Sequence, residues 1–116
     1  MRFVLVAVAA LGLMGCSSST DEATPVSVNS GAGSCDVNPT TAKAGTVVFS
    51  VQNTGSATTE FYLYGEGDAI AGEVEDIGPG VARDLVVEVQ EGTYTTACKS
   101  GDDEEGIRAP FTVTAQ

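Results

Sequence analysis

Two cysteines, three glutamates and one run of acids are the residues of this chain whose types and positions could do chemistry. Cys35 and Cys98 are the two thiols of the body of the chain. As a pair they fit a disulfide, two metal thiolates or a redox couple, and they form no CxxC motif. Glu73 and Glu75 lie two apart, so on a strand they share one face with Cα atoms about 6.5 Å apart. Such a pair attracts a cation or simply lines a solvated face. Glu60 lies in the alternating stretch Thr59-Glu60-Phe61-Tyr62-Leu63-Tyr64, on the side of Tyr62 and Tyr64. Those phenols can hydrogen-bond a carboxylate, and an exposed polar face explains the same three residues. Asp102-Asp103-Glu104-Glu105 sits between Gly101 and Gly106, as a solubilising loop or a cation site. Its spacing is not that of an EF-hand.

What is missing narrows the chemistry further. The chain has 116 residues and no His, which removes the commonest general base and nitrogen ligand together. Ser-His and Cys-His catalysis, His-ligated zinc and type 1 copper are thereby excluded. No nucleophile is paired with a base, and no cofactor loop is present, so the chain is not expected to be an enzyme. Oxygen-only ligands suit hard ions such as Fe³⁺, Ca²⁺ or Mn²⁺. Sixteen Asp and Glu stand against five Lys and Arg, a net charge of -11. That balance argues against a nucleic-acid partner, which needs a basic face.

The elements that must position these residues read as strands. Thr46 to Gln52 turns Val47, Phe49 and Val51 to one side, and Arg83 to Val89 does the same with Leu85, Val87 and Val89. Thr59 to Tyr64, Thr93 to Cys98 and Ala109 to Thr114 are further strands; Val26 to Asn29 and Ile70 to Glu75 are weaker ones. Gly, Pro, Asn and Ser punctuate the gaps, and no stretch keeps a 3.6-residue period. The fold class expected is all-β, an antiparallel sandwich of about seven strands. Its core is expected to hold these apolar residues with Phe61, Leu63, Tyr94, Phe111 and Val113.

The N-terminus reads as an address. Arg2 precedes the apolar run Phe3 to Leu11, too short to span a bilayer. Leu13-Met14-Gly15-Cys16 resembles the bacterial lipobox, which implies a signal peptide over 1-15 and diacylglycerol on Cys16. The stretch 16-25 is small and polar, a flexible tether, and 26-116 is the folded domain. The membrane is thus an expected partner through the lipid anchor, at the extracytoplasmic face. In that oxidising compartment a Cys35–Cys98 bridge would contribute roughly 4 kcal/mol by loop closure.

Gly92-Thr93-Tyr94-Thr95-Thr96-Ala97-Cys98 resembles the Gly-x-Tyr-x-x-x-Cys strand of cupredoxins. Ala44-Gly45 with its following strand, and Gly78-Pro79-Gly80, resemble their turns. The spacing of Cys35, Glu60, Glu73-Val74-Glu75 and Cys98 is similar to that of the cupredoxin-like domain of EfeO, a bacterial iron-uptake component. That resemblance implies a cupredoxin-like Greek-key sandwich without the family's helical iron-binding domain. It also implies a site for Fe³⁺ or Cu²⁺ drawn from Cys35, Glu60, Cys98, Glu73 and Glu75, and iron-uptake or envelope proteins as partners. The other reading is a non-catalytic interaction module whose Cys35–Cys98 disulfide is purely structural.

Overall fold

The computed structural model describes residues 22–116. The expected signal peptide and Cys16 lie outside that range. Nine strands run β1 (Thr24–Ser30), β2 (Cys35–Asn38), β3 (Thr41–Lys43), β4 (Gly45–Asn53), β5 (Thr59–Tyr64), β6 (Ile70–Ile77), β7 (Ala82–Val89), β8 (Gly92–Ser100) and β9 (Ile107–Thr114). One short 3-10 turn, Glu66–Asp68, is the sole helical element among the described residues. Each of the seven stretches expected to be strands forms one. The two extra strands, β2 and β3, are four and three residues long. β2 carries Asp36 and Asn38, and β3 is only Thr41-Ala42-Lys43 with Pro39 in the link before it, so only their pairing makes them strands.

The strands form two layers, β2-β1-β4-β7 and β3-β9-β8-β5-β6. The chain passes from the first layer to the second between β2 and β3. Most pairs are antiparallel, but β1 with β4 and β3 with β9 are parallel, which corrects the purely antiparallel expectation. Because β2 and β3 together span both layers before the chain re-enters beside β1, β4 arrives running in the same direction as β1.

Period-two alternation fills the space between the layers. Phe49 of β4 lies 5.1 Å from Phe61 of β5 and 5.3 Å from Phe111 of β9, centroid to centroid. One aromatic cluster thereby ties the two sheets together, and all three rings are fully buried. Burying each such ring is worth roughly 1.5–3 kcal/mol over leaving it in water. The expected core residues are all inside except Tyr94, which is half-buried and packs against the core edge. Its hydroxyl reaches out to donate to the Gln90 carbonyl at 2.8 Å.

Where β6 crosses over β7, the sheets approach so closely that a Cβ on Gly72 would run into Val87 Cγ1. Glycine is required there by the contact itself. At the other end of β6, Asn53 closes the sandwich with its side chain. Its Nδ2 donates to the carbonyls of Ala57 and Ile77, at 2.7 and 2.9 Å, and its Oδ1 accepts from the Gly55 amide. Every buried side-chain polar atom among the described residues has a hydrogen-bond partner, as a stable interior requires.

Candidate functional site

Cys35 opens the edge strand β2, and Cys98 lies near the end of β8, within the other sheet. They are joined as a disulfide with Cα atoms 5.7 Å apart and a sequence separation of 63. Cys98 is buried and Cys35 half-buried. Beside the bond, Ser30 of β1 and Thr59 of β5 join hydroxyls across the sheets at 2.6 Å. The Thr59 proton is directed at the Lys99 carbonyl, 3.1 Å away, so Ser30 is the donor to Thr59.

The disulfide corrects the expectation that the two cysteines belong to a metal site. A metal is ligated by thiolates, and in the bonded pair there are none. Strand alternation separates them from the glutamates as well. Cys98 pairs with Phe61 on the inner face, whereas its neighbour Lys99 pairs with Glu60 on the outer face. Cysteines and carboxylates therefore lie on opposite sides of one sheet. Among the described residues, no group of three or more His, Cys, Asp or Glu is arranged to hold a metal ion. Cys35, Glu60, Cys98, Glu73 and Glu75 are not gathered into one site.

What the outer face does assemble is a network around one phenol. The β5–β6 ladder slips between Thr59↔Ile77 and Phe61↔Val74. Two residues, Glu75 and Asp76, consequently oppose Glu60, and Asp76 takes up the extra length at φ 56°. The slip swings Glu75 toward Glu60. Tyr62 Oη lies 2.8 Å from Glu60 Oε2 and 3.0 Å from Glu75 Oε1, so a single phenol proton is shared by two carboxylates. Glu73, directly opposite Tyr62 on β6, is exposed and outside this set. The glutamate pair expected at 73 and 75 is thus divided, and Glu75 partners Glu60 instead.

The tyrosines are not an exposed polar face. Tyr62 and Tyr64 stack with centroids 5.6 Å apart and planes 6° from parallel, and both are buried with Ala97 in a second cluster. Two cations cover them. Lys99 Nζ stands 4.2 Å above the Tyr62 ring, and the Arg108 guanidinium 4.7 Å above Tyr64. Arg108 also pairs with Asp68 at 3.4 Å, which holds the 3-10 turn against β9. Ala97, small and facing outward between β5 and β9, leaves the room that these side chains occupy. Lys99 and Arg108 were missing from the sequence-derived site. Alternation from Cys98 places Lys99 outward, but only the cross-strand register brings Arg108 to the same spot.

The acidic loop Asp102 to Glu105 is exposed. Gly101 and Gly106 turn it at φ 62° and 74°, and the Gly106 amide donates to Asp103 Oδ1 at 3.0 Å. With Glu60 and Lys99, residues 101–104 of this loop line an open recess of about 300 Å³. The recess holds charges of both signs.

Burial pushes the Tyr62 hydroxyl well above the ordinary phenol range, and the hydrogen bonds and charges of Glu60 and Glu75 push it further. A raised folded-state value contributes stability that is complete below the unfolded value, near 10, and is lost as pH rises beyond it. Thermal unfolding followed from pH 8 to 11.5 should therefore show a loss of stability above about pH 10. In Tyr62→Phe that loss should be smaller. An identical alkaline decline in both proteins would contradict the assignment to Tyr62.

The described residues match known proteins at the level of fold. A model of the cupredoxin-like domain family matches residues 3–112. No curated protein matches the chain. Among solved structures, reduced auracyanin from Roseiflexus castenholzii is 17% identical with a TM-score of 0.64; the match covers 79% of this chain and 98% of that one. Auracyanin A from Chloroflexus aurantiacus, a "blue" copper protein, is 16% identical with a TM-score of 0.53, over 78% and 99% of the two chains. A multicopper oxidase is 16% identical with a TM-score of 0.55, over 78% of this chain but 41% of its own. Copper as held in a type 1 site does not fit the residues present, since there is no His and Cys98 is bonded to Cys35. With two sheets in this arrangement and a family match over most of its length, the chain belongs to the cupredoxin-like domain family.

Proposed function

We propose that this chain is a non-catalytic binding module of the bacterial cell envelope. Lipid on Cys16 holds it at the extracytoplasmic face after removal of residues 1-15, and 16-25 tethers the domain. The observation that carries the reading is the Cys35–Cys98 disulfide. The cysteine that the Gly92-x-Tyr94-x-x-x-Cys98 strand would otherwise offer to a metal is used to fasten the sheets. What remains for recognition is the mixed-charge outer face of the five-stranded sheet, with Glu60, Lys99 and Arg108 at its centre and the acidic loop at its end. The partner is a protein surface; the strong negative charge disfavours nucleic acid.

A second reading is favoured by one specific feature, the two carboxylates that meet at the Tyr62 hydroxyl. Glu60 and Glu75 would supply a weak oxygen site for Fe³⁺ or Cu²⁺. That reading is the one in keeping with the EfeO-type likeness and a part in iron uptake alongside other envelope proteins. Two carboxylates without thiolates or Glu73 make an incomplete shell, so this site would be weak.

One experiment separates the two. The purified protein is assayed for free thiols in denaturant, then titrated by calorimetry with Cu²⁺ and with Fe³⁺ kept soluble by a weak chelator. The binding-module reading predicts no free thiol at Cys35 or Cys98, no thiolate-to-copper absorption band, and no binding that Glu60→Gln/Glu75→Gln abolishes. Binding lost in that double variant would establish the second reading; two titratable thiols with a coloured copper adduct would contradict both.

The anchor has its own test. Cys16→Ser should move the protein from the membrane fraction to the soluble fraction, since two or three acyl chains are what hold it there. A substituted protein that stays on membranes after a salt wash would refute the anchor.

A further inference from the structure

Tyrosine is the readily oxidised side chain of this domain. The chain has no Trp and no His, Met1, Met14 and Cys16 all precede the domain, and Cys35 and Cys98 are already oxidised to a disulfide. That leaves Tyr62, Tyr64 and Tyr94. Their settings differ in a way that matters for electron loss. A phenol that loses an electron becomes a strong acid, so oxidation is easiest where a base stands ready for the proton. The Tyr94 hydroxyl donates to the Gln90 carbonyl, an amide oxygen too weakly basic to keep a proton. The Tyr62 hydroxyl instead faces two carboxylates, at 2.8 and 3.0 Å.

We propose that Tyr62 is a redox-active tyrosine that gives one electron to an external one-electron oxidant while its hydroxyl proton passes to Glu60. The step balances: the Tyr62 O–H bond breaks, an O–H bond forms at Glu60 Oε2, and the oxidant gains one electron. The products are a neutral tyrosyl radical, a carboxylic acid and the reduced oxidant. High-valent metal complexes and organic radicals are the oxidant class that fits, and no bound metal is needed; Glu60 must be free to take the proton, so the inference goes with the binding-module reading and not with an ion held by Glu60 and Glu75.

Three features of the site favour this route over the alternatives. The same carboxylates that accept the proton from the oxidised ring destabilise the phenolate, so proton loss without electron loss is opposed. The Lys99 ammonium over the Tyr62 ring and the Arg108 guanidinium over Tyr64 disfavour a radical cation, which leaves the neutral radical as the stable oxidised form. Tyr62 is only 8% exposed, so its radical is shielded from coupling with a ring of a second molecule, and the parallel Tyr64 ring lies beside it.

The test mixes purified full-length protein with hexachloroiridate(IV) and freeze-quenches it for electron paramagnetic resonance. A tyrosyl signal is expected in the wild type and in Tyr94→Phe, and its loss is expected in Tyr62→Phe. The Glu60→Gln/Glu75→Gln variant should be oxidised at least about tenfold more slowly, and the wild-type rate should fall in D₂O. Should Tyr62→Phe fail to fold, Tyr64→Phe/Tyr94→Phe leaves Tyr62 as the single tyrosine and must keep the signal. A radical that survives Tyr62→Phe, disappears with Tyr94→Phe, or forms at an unchanged rate without the two carboxylates would overturn the proposal.

Discussion

The Cys35–Cys98 bond joins an edge strand of one sheet to the interior of the other, and much of the molecule is arranged by it. β2 is four residues long and pairs on one side only. By itself so short an edge would be easily lost. Bonded to Cys98, it is fixed to β8, which lies between β9 and β5. The Ser30–Thr59 hydroxyl pair spans the same gap, and Asn53 closes the neighbouring loop end. Loop closure over 63 residues contributes roughly 4 kcal/mol, a large share of the 5–15 kcal/mol that holds a small domain folded. Cys98, on the strand whose motif resembles the cysteine-bearing strand of cupredoxins, fastens the two sheets.

Fixing Cys98 inward fixes its neighbours outward. Alternation along β8 turns Ala97 and Lys99 to the outer face, where Ala97 makes room for the stacked tyrosines and Lys99 covers them. The bulge between β5 and β6 then adds Glu75 to Glu60 at a single hydroxyl. The consequence is an outer layer that is buried and ordered although it faces solvent. It carries aromatic area, both signs of charge and one shared proton, and is set apart from the core by a single sheet.

Much of this was legible in the sequence, and the limits have physical causes. Strands with a clean period of two, such as Thr46 to Gln52 and Arg83 to Val89, declare both their existence and their inner face, since burial of one side is what selects them. β2 and β3 declare nothing, because Asp36 and Asn38 are turn-forming residues held in β2 by its pairing with β1, and β3 is three residues held beside β9, far along the chain. The cysteine pair was visible, but whether it bridges or ligates depends on which side of the sheet the glutamates take relative to Cys98. The register Glu60↔Lys99 decides that, and register is a long-range property. Glu73 and Glu75 share a face as their spacing implies, yet the bulge that recruits Glu75 alone is a local irregularity that period-two reasoning cannot foresee.

The central claim is that the disulfide is structural and holds β2 to the opposite sheet. Urea unfolding of the Cys35→Ala/Cys98→Ala double variant beside the wild type tests it most directly. The account predicts a native-like β-sheet spectrum with stability lowered by roughly 4 kcal/mol and a steeper denaturant dependence, as the unlinked unfolded chain exposes more surface. Equal stability and slope in the two proteins would contradict it.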